Sequence, residues 1–213
     1  MRENGSSIRD VEKLLKIPRS TLSGWFKNVK LTKHQKTRLH KNWKNALNIA
    51  RKKAVVWHNL QKVLRIKKAQ EGAVETLSKI NANDNSILEL ALAMLYLGEG
   101  AKTQATSMAN SNQLIVKFFI KSLEKLYKIN KNLLKYELHL RSNQNEIEAI
   151  DYWSRELSVN KSRFGFIKDK RIAKTETYAN YKGVCVVYCG RIAIQRRLVH
   201  LAEEFSKIVS KDS

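Results

Sequence analysis

Residues Leu92 to Gly100 read LAMLYLGEG, an apolar run at helical spacing that closes on Gly-Glu-Gly and isolates one carboxylate, Glu99, at a helix end. A carboxylate so placed suits metal chemistry on phosphate. Phosphodiester hydrolysis needs a cation that activates water and offsets charge on the scissile phosphate, and magnesium takes one or two carboxylates together with waters and phosphate oxygens. One Glu99 is too little by itself. The plainer reading is an apolar helix that stops at Gly100 in the C′ position. Other chemistries fit less well. His34, His40, His58, His139 and His200 are scattered without HExxH spacing, and the chain has no glycine-rich phosphate loop and no GxSxG elbow. Cys185 and Cys189 lie four apart in an apolar strand pattern, without the companions of a zinc site, and read as packed thiols of a reducing compartment.

The charge balance points to the partner. With 41 Lys and Arg against 19 Asp and Glu, the 213 residues carry a formal charge of +22, which suits a polyanion better than a small molecule. The excess is uneven: residues 1–80 hold 20 basic and 5 acidic side chains, and no carboxylate occurs from Lys13 to Lys68. A solvated helix face normally mixes signs, and this stretch does not. No window approaches the ~20 apolar residues of a membrane span, and Met1-Arg2-Glu3-Asn4 leads into no signal-peptide core, so a cytoplasmic protein without a membrane partner is expected.

Local patterns supply the elements that would carry these groups. Ser7 caps a short helix with Ile8, Val11, Leu14 and Leu15 at helical spacing; Ile17-Pro18 breaks it; a second helix starts at Arg19 or Ser20 and runs to Asn28 with Leu22, Trp25 and Phe26 as apolar positions. Helix, tight turn, helix over residues 1–30 is a helix-turn-helix layout, and Arg19, Ser20, Thr21, Ser23 and Lys27 are its exposed, DNA-facing candidates. An αα-hairpin without a DNA role is the plain alternative.

Residues 31–80 form a basic helical linker. Thr32 caps a helix from about Lys33 to Gln70 that would span about 55 Å, with Gly72 ending or kinking it. Trp43, Ala50, Trp57 and Leu64 recur every seven residues, with Ala46, Leu47, Ala54 and Leu60 between them, so packing against another helix is favoured over base stacking. Lys52 and Lys53 on this rod are candidate phosphate contacts.

Residues 81–213 read as a second domain. NANDN at 81–85 is its linker, and Ser86 with Glu89 forms a capping box for the LAMLYLGEG helix. Strands near 105–110, 134–141, 163–168 and 184–189 interleave with helices at about 112–127, from Asn145 onward, and 191–209. The order αβαβαββα is an α+β layout, with a mixed sheet covered on one face and open on the other. Lys135, Glu137, His139 and Arg141 alternate onto the face opposite Leu134, Tyr136, Leu138 and Leu140.

LAMLYLGEG resembles the motif that names the LAGLIDADG homing endonucleases. Leu92, Ala93, Leu95 and Gly100 are identical to it, Gly98 stands for its small alanine and Glu99 for its metal-binding aspartate, while Met94, Tyr96 and Leu97 depart. SIRDVEKLLKIPRSTLSGWFKNV resembles the helix-turn-helix segments of bacterial regulators and resolvases, with the preceding helix cut down to a few residues before Gly5. Helix-turn-helix, basic linker and a GEG-type domain with YKGVCVVY near its end are together similar to small free-standing LAGLIDADG proteins. The resemblance implies an open sheet face in the DNA major groove, contacted by Lys102, Lys135, His139 and Arg141. It implies two motif helices side by side, with Ala91, Leu95 and Gly98 at the contact; one chain has one motif, so a homodimer is expected. Glu99, with Gly98 beside it, would hold Mg²⁺ or Mn²⁺, and Lys182, Lys168, Lys102 or Gln104 would assist. The activity implied is a metal-dependent, site-specific break in double-stranded DNA. A non-catalytic transcription regulator is the alternative, and an RNA-binding splicing helper the third. The layout has an extra helix, and one strand fewer before the second helix, than well-known members.

Overall fold

The computed structural model describes residues 1–102, 105–170 and 181–211. Over these residues it is an α+β structure of seven α-helices and a four-stranded mixed sheet, and its chain contacts divide into two units, Met1–Ser78 and Lys79–Ser213.

The first unit is helical. Helix α1 (Ile8–Leu15) opens on a reciprocal cap: Ser7 Oγ accepts from Asp10 N–H at 3.1 Å, and Ser7 N–H donates to Asp10 Oδ2 at 3.3 Å. Lys16 turns the chain through a left-handed φ of 54°, and Pro18 leads into α2 (Arg19–Trp25). That helix stops short of the expected Asn28, because Phe26 leaves helical geometry at φ −92°, ψ 8°, with the entropically costly Gly24 in the last turn. Val11, Leu22 and Gly5 are buried here. Gly5 has φ +82°, and a Cβ on it would stand 2.7 Å from Arg38 Nη2. Its carbonyl accepts from that same nitrogen at 3.1 Å, so residues 1–6 lie on the first turns of α3.

Helix α3 (Lys33–Ser78) starts where Thr32 and Gln35 cap each other, Gln35 N–H donating to Thr32 Oγ1 at 3.2 Å and Thr32 N–H to Gln35 Oε1 at 2.9 Å. It continues straight through Gly72, overturning the expected stop. A lone glycine costs only about 1 kcal/mol against alanine in a helix interior, and good helix formers stand on both sides. None of its 46 residues is buried.

The second unit holds the core. Its elements are α4 (Asn85–Glu99), β1 (Ser107–Asn110), α5 (Gln113–Tyr127), β2 (Lys135–Leu140), α6 (Glu146–Leu157), β3 (Phe164–Lys168), β4 (Val184–Tyr188) and α7 (Ile192–Lys211). The order across the sheet is β1-β4-β2-β3; β4 runs antiparallel to β1 and β2, and β3 parallel to β2. Tyr136, Leu138, Leu140, Phe164, Cys185, Val187 and Met108 point to one side, where they join Leu92, Tyr96, Phe119, Leu123, Trp153 and Leu198 of the four helices in a single buried cluster. Register puts Lys135, Glu137 and His139 of β2 opposite Tyr188, Val186 and Val184 of β4 on the other side, with Ser107, Ala109, Gly165 and Ile167.

The cap of α4 differs from expectation. Asp84, not Ser86, accepts the first donors, from Ser86 N–H at 2.7 Å and Ile87 N–H at 3.2 Å. An ionised acceptor at a helix N-terminus bonds more strongly than a hydroxyl. Glu89 is thereby left to accept from Arg197 and from the Tyr127 hydroxyl. Cys185 and Cys189 are free thiols, and burial pushes that of Cys185 up to about 12. Among the described residues no helix is long and apolar enough to cross a membrane.

Candidate nucleic-acid interface

Three surfaces carry the residues singled out from sequence. On the first, Arg19, Ser20, Thr21, Ser23 and Lys27 are all exposed, while Leu22 of the same helix is buried. One buried leucine fixes the helix and turns the short polar side chains outward, as a recognition helix requires. Trp25 is also exposed on it, an aromatic that its apolar type had assigned to packing.

The second surface is the sheet face away from the core, which no helix of the described residues covers. Its centre is Glu137, whose side chain keeps only 16% of its exposure. Glu137 Oε1 lies 3.0 Å from His139 Nε2 and accepts from the Tyr188 hydroxyl at 3.3 Å; Oε2 lies 3.5 Å from Lys135 Nζ. His139, followed by Lys135 and Tyr188, holds this carboxyl below the usual range against the opposing effect of burial. Burial and the neighbouring carboxylate push the Tyr188 phenol up. Lys135 also lies over the Tyr188 ring, 5.3 Å from its centroid. Glu137 thus anchors Lys135 and His139 across the sheet, and its charge is offset where it sits. Arg141, one residue beyond β2, stacks its guanidinium 5.5 Å from the Tyr181 ring centroid. Strand alternation had placed Glu137 on this face, but its part as anchor was missed, because Tyr188 is distant in sequence and arrives only through the β2–β4 pairing.

The third surface is the end of α4. Glu99 is exposed, and its Oε2 accepts from Asn110 Nδ2 at 3.0 Å. Asn110 is itself oriented by its own turn, its Oδ1 accepting from Asn112 N–H at 2.8 Å. Gly100 ends the helix as the plainer reading expected, but with an extended φ of −82° and ψ of 153° rather than the left-handed conformation of a C′ glycine. Its lack of a side chain serves close approach: a Cβ there would lie 2.6 Å from the Tyr96 ring. The Tyr96 hydroxyl in turn donates to Ala101 O at 2.6 Å and accepts from Ser107 N–H at 3.3 Å, fastening the helix end to β1. Ala101 N–H donates to Ser107 O at 2.9 Å rather than back into the helix. Ala91 and Gly98 are exposed and Leu95 half-buried, the spacing of one helix face. Among the described residues no three His, Cys, Asp or Glu side chains converge as a metal cluster.

The supporting lysines are not gathered at Glu99. Lys168 Nζ pairs with Glu146 Oε2 at 3.1 Å and Lys182 Nζ with Glu148 Oε2 at 3.4 Å, both at the N-terminus of α6. Lys102 is exposed, and its carbonyl accepts from Gln195 Nε2 at 2.9 Å. Gln104, and most of the basic segment 169–182, lie outside the described residues. Lys52 and Lys53 are exposed on α3. Compared with models of known protein families and with curated proteins, the chain matches none.

Proposed function

We propose that the protein binds double-stranded DNA at a specific site and, as a homodimer, cleaves it with a divalent metal in the manner of the LAGLIDADG endonucleases. The observation that carries the DNA reading is the joining, in one strongly cationic chain, of an exposed polar recognition helix with a sheet whose face away from the core presents Lys135 and His139 on the half-buried Glu137 carboxylate. Cations along α3 supply sequence-independent phosphate attraction, and the short side chains of α2 supply base readout.

Glu99 fits one half of a magnesium site. It is exposed, it sits at the negative end of a helix where cations are favoured, and Asn110 orients one of its oxygens, the other having no hydrogen-bond partner among the described residues. A second carboxylate would come from the same residue of a second chain, across a contact at Ala91, Leu95 and Gly98. Mg²⁺ or Mn²⁺ bound there would supply an activated water and charge neutralisation at the scissile phosphate. A second reading, a regulator that binds without cutting, is favoured by the hydrogen bond that already gives Glu99 a structural partner. An RNA-binding role for the basic rod is a third outcome of the same test.

The test is incubation of the full chain with a randomised duplex pool and Mg²⁺, recovering bound and cut molecules separately. With even ~6 phosphates neutralised, affinity falls about 10³-fold between 50 and 200 mM salt. Replacing Ser20, Thr21 or Ser23 relaxes sequence preference, whereas replacing Lys52 or Lys53 weakens binding to every duplex alike. Glu99→Gln abolishes cutting and leaves binding intact. Bound but never cut wild-type duplex, with Mg²⁺ and with Mn²⁺, removes the nuclease and leaves the regulator; preference for structured RNA removes both.

A further inference from the structure

Helix α3 is the largest unexplained feature of the molecule. Of its 46 residues none is buried, and its exposed side chains include Trp43 at 58% and Trp57 at 57%. An isolated helix gains little from propensity alone and in folded proteins relies on burying an apolar face. Here the apolar residues are ordered. Trp43, Ala50, Trp57 and Leu64 fall seven apart, and Leu47, Ala54 and Gln61 stand four residues after the first three of them. Together they make one continuous heptad seam from Trp43 to Leu64, with Ala50 and Ala54 lying between the helix's two tryptophans.

We infer that this seam is closed by the α3 of a second copy of the chain, forming a two-stranded coiled coil that its own charge opposes until a polyanion or high salt screens it. A heptad seam is the pattern by which helices of equal pitch interlock over several turns, and an identical helix offers the matching pattern over the whole length. The area is adequate: four half-exposed tryptophans, two from each copy, supply roughly half of the ~1,200 Å² that a specific interface needs, and Leu47, Leu64 and the alanines add the rest. The residues bordering the seam explain why it is conditional. Lys44, Arg51, Lys53, Arg65 and Lys67 flank it, and α3 has no carboxylate before Glu71. In an ordinary coiled coil those flanking positions carry paired opposite charges; here every Lys, Arg, Asp or Glu at them is a cation, in both copies. At low ionic strength the repulsion reaches across the helix pair, whereas at 1 M salt it is screened within about 3 Å. A duplex along the rod would screen it likewise, and only that arm depends on the nucleic-acid reading above.

The experiment is sedimentation of the full-length Gly98→Leu chain, in which any α4 contact is blocked; Gly98 has open space around it, so the monomer tolerates the change. At 50 mM NaCl this chain is a monomer, and at 1 M NaCl a dimer. Trp57→Gln, and separately Ala50→Gln, weaken the high-salt dimer at least tenfold while circular dichroism shows α3 retained. Val63→Gln, on the opposite side of the helix, leaves it unchanged. Addition of a random-sequence duplex at 50 mM restores the dimer. A chain that stays monomeric at 1 M salt overturns the proposal, as does a dimer indifferent to both Trp57→Gln and Ala50→Gln. A dimer formed by salt but not by duplex keeps the seam and counts against the nucleic-acid reading instead.

Discussion

Residues 1–78 and residues 79–213 solve the folding problem in opposite ways. The second unit buries a continuous cluster running from Leu92 to Ala202 between four helices and one sheet face. The first buries little beyond Val11, Leu22 and Gly5, yet it carries most of the net positive charge and the largest exposed aromatics outside any core. Cores fix geometry; exposed, charged, ordered surface is what a partner can use. The contrast assigns rigidity to the second unit; under the proposed function the first would recruit the partner, and the sheet face and Glu99 would be where the second meets it.

The largest test of the contrast is in the core. Trp153 is fully buried and its indole N–H donates to Lys182 O at 3.0 Å, so Trp153→Ala should cost about 3–5 kcal/mol in urea unfolding. Leu64→Ala on α3, at low salt, should change stability by no more than about 0.5 kcal/mol. Equal costs would mean that α3 has a core of its own within the monomer.

A smaller effect separates the units by pH. Arg197, then Tyr127, hold the Glu89 carboxyl below its ordinary value, against burial. A carboxyl whose folded value is depressed contributes stability above its unfolded value and loses it as pH falls through the folded one, so this contribution to the second unit fades below about pH 4.5. Arg197→Ala should remove about 1 kcal/mol at neutral pH, a figure discounted for the exposed guanidinium, and flatten the acid limb of the stability curve. An unchanged acid limb would assign it to other carboxylates, Glu137 among them.

The smallest effect lies in the first unit. Ser7→Ala removes the cap of α1, for about 1 kcal/mol. In a unit with so few buried side chains this should lower hydrogen-exchange protection across α1 and α2 while leaving β2 and β4 unchanged. Loss of protection in the sheet would show that the two units share stability.

Much of this molecule is written in local pattern. Period-2 alternation in 134–141 determined which residues of β2 face the core, and asparagines 112 and 145 began α5 and α6 as their side-chain chemistry demands. Ser7, Pro18 and Thr32 punctuated the first unit for the same reason: caps and breakers act within a few residues, so the sequence contains them entire. Where two local signals competed, sequence did not decide. Asp84 outbid Ser86 as a cap by its charge, and Gly72 yielded to the helix around it. Tertiary structure alone determined what distant pairing creates. It brought Tyr188 and His139 onto Glu137, because β4 inserts between β1 and β2. It sent Lys168 and Lys182 to the glutamates of α6 rather than toward Glu99, and gave Glu99 its partner Asn110 at the end of β1. It also showed that Gly100 makes room for the Tyr96 ring instead of reversing the backbone. Sequence spacing fixes which face of an element a residue occupies; only the packing of elements fixes what that face meets.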